Sequence, residues 1–148
     1  MFGISPGPMR RALRREKAQV AAISGHGESI LIVDDEVELC ETCGEILESM
    51  GYQVFTATNG SQGVENFEKH PDTINLLISD VVMPKMSGPE MVNRIREIKP
   101  DMPVIFMTGY DKDMLASEVD LENSIIIPKP IDIDLLSTHI DQLLKCMR

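Results

Sequence analysis

The stretch "ILIVDDE", residues 30–36, decides the fold. Ile30 to Val33 are β-prone and apolar at every position. A strand with one wet face would alternate, so an unbroken apolar run is the pattern of a strand covered on both faces. It ends in three consecutive carboxylates, Asp34, Asp35 and Glu36. Adjacent acids repel one another and lose hydration when half buried. Such an ending needs a compensating reason.

Outward from this stretch the pattern repeats. Glu36 to Met50 has helical spacing, with Leu39, Cys40, Cys43, Ile46, Leu47 and Met50 on or beside one stripe, and Gly51 stops it. "YQVFTA" (52–57) reads as a short strand. A turn at Asn59–Gly60 opens a helix presenting Val64 and Phe67, closed by Pro71. Ile74 to Ser79 is a second buried strand and ends at Asp80. "MSGPEMVNRIREIK" (86–99) is a helix with Met91, Val92, Ile95 and Ile98 inward. Pro103 to Met107 is a third buried strand, followed by a short, weakly apolar helix over "DKDMLASEVD" (111–120). "SIIIPKP" (124–130) is a fourth buried strand. "IDLLSTHIDQLLKCM" (133–147) is a closing helix with Leu135, Leu136, Ile140, Leu143 and Leu144 inward. Strand and helix alternate five times, which predicts an α/β domain with a doubly wound parallel sheet and helices on both faces.

Length and composition agree. The 148 residues suit one domain with a real core, and the apolar (43%) and charged (26%) fractions are those of an ordinary globular chain. No stretch approaches the roughly 20 apolar residues that span a bilayer, and no signal peptide is evident. The net charge of −10 is uneven. Residues 1–28 hold Arg10, Arg11, Arg14, Arg15 and Lys17 against Glu16 and Glu28, so the rest of the chain is strongly acidic. An acidic body repels nucleic-acid phosphates. Residues 1–28, punctuated by "GISPGP" and "SGHG", read as a basic flexible tail or linker with one short helix around 10–23, and residues 29–148 as the domain. Cys40 and Cys43 invite a redox or zinc reading, but no second ligand pair is spaced for zinc. Both lie on or beside the core stripe, and unpaired thiols suit a reducing cytoplasm.

In open parallel sheets the functional crevice lies outside the carboxyl ends of the strands. The unusual polar residues gather there: Asp34 and Asp35 after the first strand, Asp80 after the third, Thr108 and Gly109 after the fourth, and Lys129 after the fifth, between Pro128 and Pro130. Three carboxylates brought together either share protons or hold a cation. All-oxygen ligands suit a hard ion that keeps several waters, hence Mg²⁺. His26, His70 and His139 lie away from this rim.

"ILIVDDE", "LLISDVVMPKMSGPEM" (76–91), "PVIFMTG" (103–109) and "IIIPKP" (125–130) closely resemble the receiver domains of two-component response regulators, over about residues 29–148. The resemblance implies a flavodoxin-like (βα)5 fold with strand order 2-1-3-4-5. It implies that Asp80 takes a phosphoryl group from a phosphohistidine on a sensor histidine kinase or histidine phosphotransfer protein. Asp34, Asp35, Asp80 and the backbone carbonyl of Val82 would hold Mg²⁺, while Lys129 and Thr108 would contact the phosphoryl oxygens. Pro84 shapes the loop after Asp80, and Gly88 permits a tight entry to the next helix. Such a domain is not a turnover enzyme by itself, works in the cytoplasm and touches neither nucleic acid nor membrane. It stands alone or is the terminal receiver of a hybrid histidine kinase. One departure is Ile126, where many receivers carry an aromatic residue three positions before the lysine. The alternative is a Mg²⁺-dependent phosphohydrolase of the haloacid-dehalogenase type, whose signature D-x-D on the first strand is not what Asp34–Asp35 spells.

Overall fold

The protein is described by a computed structural model over residues 25–109 and 123–147. The sequence-predicted helices around 10–23 and at 111–120 lie outside the described residues. Five strands, β1 (Ser29–Val33), β2 (Gln53–Ala57), β3 (Ile74–Asp80), β4 (Val104–Thr108) and β5 (Ser124–Pro128), pair in parallel in the order β2-β1-β3-β4-β5. Four helices are described: α1 (Val37–Ser49), α2 (Gly60–Lys69), α3 (Gly88–Ile98) and α4 (Ile133–Met147).

The unbroken apolar strands have the expected cause. In β1 successive side chains point to opposite faces. Ile30 and Ile32 join Cys40, Cys43 and Leu47 of α1 and Leu136, Ile140 and Leu144 of α4 on one face. Leu31 and Val33 join Phe67 of α2 and Met91, Val92 and Ile95 of α3 on the other. All of β1 and β4 is buried, whereas edge strand β2 is half-exposed along most of its length. Burying a Leu, Ile or Val side chain stabilises the fold by roughly 1.5–3 kcal/mol, so the three central strands anchor the domain.

Local sequence signals start and stop the helices. Asn59 is not a free turn residue but the cap of α2, accepting from the Gln62 N–H at 2.8 Å, while the Gln62 side chain accepts from the Thr58 N–H at 3.0 Å. Ser87 caps α3, with Pro89 in its first turn. Gly51 ends α1 at φ +97°, a conformation that side chains rarely adopt. Gly25 and Gly27 donate to the carbonyls of Met50 and Gly51 at 2.8 and 3.0 Å, so the chain entering β1 is fastened across the end of α1.

Two residues expected to face inward do not. Ile98 is 48% and Leu135 40% exposed. Ile98 is the last residue of α3, past the turn that packs on the sheet. Leu135 neighbours Leu136 in α4, and residues one apart on a helix point about 100° away from each other. Only Leu136 joins the core stripe with Ile140 and Leu144.

Candidate functional site

Strand register builds the site. Val33 pairs with Ser79 in the β1–β3 ladder, so the next residues, Asp34 and Asp80, leave the sheet side by side. Asp80 is the last residue of β3 and pairs with Met107, which places Thr108 one step further along β4. Thr108 pairs with Pro128, and the Lys129 N–H donates to the Thr108 carbonyl at 2.8 Å. The Lys129–Pro130 peptide is cis. The sheet therefore delivers the predicted residues of three separate strand ends, and the lysine beyond a fourth, to one rim.

Carboxylate oxygens of Asp34, Asp35 and Asp80 all lie within 4.8 Å of one another. Asp34 is fully buried, Asp80 is 8% exposed and Asp35 faces solvent. The Lys129 Nζ reaches into this group, 3.2 Å from Asp34 Oδ2 and 3.4 Å from Asp80 Oδ2. It also lies 3.1 Å from Glu36 Oε1. Thr108 is buried, and the side chain of Val82, two residues after Asp80, is half-exposed.

The electrostatics are unbalanced. Burial, and then the Asp34 charge, push the Asp80 carboxyl up to about 6, although Lys129 pulls the other way. Burial also raises Asp34, against the pull of the Glu36 N–H and of Lys129. Burial alone would lower Lys129, but its bond to Glu36 and the charges of Asp34 and Asp80 outweigh this and hold the ammonium above its ordinary range. Among the described residues, the Lys129 ammonium contacts the carboxylates of Asp34, Asp80 and Glu36, and Asp35 adds a further negative charge beside Asp34 and Asp80. A divalent cation on the oxygen-only group would relieve the excess negative charge, and hard oxygens with an open, solvated side suit Mg²⁺. On the side of Asp35 the rim opens into a cavity of about 370 Å³ bordered by Thr58, Asn59, Pro84, Lys85 and Met86.

Sequence reading missed two members. Glu36 was visible as the third acid of the opening run, but its contact with Lys129 joins residues 93 apart in the chain. Ser79, a hydroxyl in an apolar strand, donates to the Asp80 carbonyl at 2.8 Å. Gly88 has a firmer reason than a tight turn. Its N–H donates to the Val81 carbonyl at 2.8 Å, and a Cβ there would run into the Asp80 carbonyl oxygen. Ile126 packs against the α2–α3 side of the core. Cys40 and Cys43 are buried in the other core cluster. Burial pushes the Cys40 thiol up to about 11 and raises Cys43, so both stay protonated and serve packing.

Comparison with known proteins agrees. The family model described as the response regulator receiver domain matches residues 30–141. The sensor kinase CckA of Brucella abortus is 30% identical over 135 residues, which are 90% of this chain but 14% of that protein. The response regulator receiver protein CpdR of the same organism is 31% identical over 116 residues, 78% of this chain and 95% of CpdR. Among solved structures, response regulator TrrA of Thermotoga maritima, in complex with Mg²⁺-BeF, is 31% identical with a TM-score of 0.69, covering 78% of this chain and 98% of that one. The chain thus spans nearly all of one curated relative and only a small part of another. Nothing in these matches supports the phosphohydrolase alternative.

Proposed function

This chain belongs to the response regulator receiver family, a phosphoryl-accepting signalling domain rather than a conventional enzyme, and from that premise we propose that Asp80 is its phospho-acceptor. The observation that carries the reading is the Asp80 carboxylate at the rim, among three acids within 4.8 Å and 3.4 Å from the Lys129 ammonium. In the proposed reaction an Asp80 oxygen attacks the phosphorus of a partner's phosphohistidine. The new O–P bond forms as the N–P bond breaks, and the imidazole leaves with the electron pair. Asp34, Asp35, Asp80 and the Val82 carbonyl would hold Mg²⁺, whose charge offsets repulsion between the carboxylates and the phosphoryl oxygens. Lys129 offers a second positive charge to those oxygens and Thr108 a hydroxyl. Ser79 and Gly88 keep the Asp80 backbone in place.

The partner in this reading is a sensor histidine kinase or a histidine phosphotransfer protein, and the site of action is the cytoplasm. No described helix is long and apolar enough to cross a membrane. In this reading residues 29–148 form the receiver unit and 1–28 a basic tail or linker, and the low coverage of CckA fits a receiver carried within a hybrid kinase as well as one that stands alone. Labelling with acetyl phosphate tests the central claim. Wild type is expected to gain one acid-labile phosphoryl group in a Mg²⁺-dependent manner, and Asp80→Ala none. Stoichiometric label on the Ala variant would end the assignment.

A further inference from the structure

Lys129 carries three N–H donors, and three carboxylates crowd it: Glu36 at 3.1 Å, Asp34 at 3.2 Å and Asp80 at 3.4 Å. The phosphoryl reading asks this ammonium to bind a phosphoryl oxygen as well, so one of the three has to give way. The three partners differ in how easily they can leave. Asp34 is fully buried and tied to the Glu36 N–H at 2.8 Å, and the Asp80 side chain is only 12% exposed. The Glu36 side chain is 65% exposed. With Lys129, Leu39, Pro130 and Ile131 it borders an open groove of about 390 Å³, so it has water to turn into. As the residue preceding α1 it caps no N–H with its side chain. Moving it costs the helix no side-chain bond.

We propose that Glu36 is a displaceable placeholder on Lys129: it occupies one ammonium donor in the resting site and surrenders it to the incoming phosphoryl group. An exposed ion pair is weak and readily exchanged with water, which is the property a placeholder needs. The held state still competes with the phosphoryl oxygen for Lys129, so Glu36 slows acceptance. This inference rests on the assignment of Asp80 as acceptor.

The test is the rate of labelling by acetyl phosphate at saturating Mg²⁺ in wild type, Glu36→Gln and Glu36→Asp. The Gln variant removes the charge and leaves only a neutral, weaker acceptor for Lys129. The Asp variant keeps the charge but is one methylene too short to reach Lys129. Both are expected to label faster than wild type, by up to about fivefold, the ceiling set by a weak exposed pair. A Gln variant no faster than wild type overturns the proposal. A faster Gln variant beside an Asp variant that matches wild type also overturns it, because the effect is then plain repulsion of the phosphodonor. If wild type takes no label, the Asp80 assignment fails and this inference with it. Labelled wild type with an indifferent Glu36 sinks the inference alone.

Discussion

Replacing the Asp80 carboxylate by a neutral amide should stabilise the metal-free protein, and the gain should depend on pH. The Asp80 carboxyl is pushed up to about 6 in the folded chain, against 3.8 for an ordinary aspartate. Between these values the native state keeps a proton that the unfolded chain has released. Stability therefore falls as pH rises from about 3.8 to about 6, and the full penalty is in place above that window. At about 1.4 kcal/mol per pH unit, the gap is worth about 3 kcal/mol. Asp80 is only 8% exposed, so little of this is lost to solvent screening. Asn does not reproduce every contact of a protonated carboxyl, which makes that figure an upper value. In a domain of this size about 3 kcal/mol corresponds to roughly 6–12 °C in Tm. The assay is urea unfolding of wild type and Asp80→Asn in EDTA at pH 7.5 and pH 4. The Asn variant should be the more stable at pH 7.5, and the two should nearly coincide at pH 4. Millimolar Mg²⁺ at pH 7.5 should shrink the difference by stabilising wild type. An equal difference at both pH values, or a less stable Asn variant at pH 7.5, would refute the view that Asp80 is a frustrated charge.

Other outcomes follow from the same geometry. Mg²⁺ at ten- to hundredfold saturation should stabilise wild type by roughly 1–3 kcal/mol, and thermal melts should show that gain largely lost in Asp35→Asn. Gly88→Ala drives a Cβ into the Asp80 carbonyl oxygen; it should lower stability by at least about 1 kcal/mol and slow phosphoryl acceptance, read by melting and labelling side by side. The Tyr52 hydroxyl is buried without a hydrogen-bond partner among the described residues, so Tyr52→Phe should raise stability by about 1 kcal/mol; a less stable Phe variant in urea would show that the hydroxyl is satisfied after all.

The sequence by itself determined the strands, the order of elements and the residues worth watching. Those signals are local. An unbroken run such as Ile30–Val33 reports burial on two faces whatever packs there, and the acids Asp34, Asp35 and Asp80 stand out because each follows such a run. The Gly51 stop at the end of α1 is equally local. Tertiary structure decided what depends on residues far apart in the chain. Strand register set Asp34 beside Asp80, and the β4–β5 ladder carried Lys129 to them. Packing decided that Leu136 and not Leu135 enters the core, since periodicity gives a stripe but not its centre. The Glu36–Lys129 pair was beyond any local reading, because a third acid in a row looks the same in sequence whether it faces water or an ammonium. The need for glycine at 88 likewise appears only when the backbone of α3 meets the carbonyl of Asp80, a contact that no spacing rule encodes.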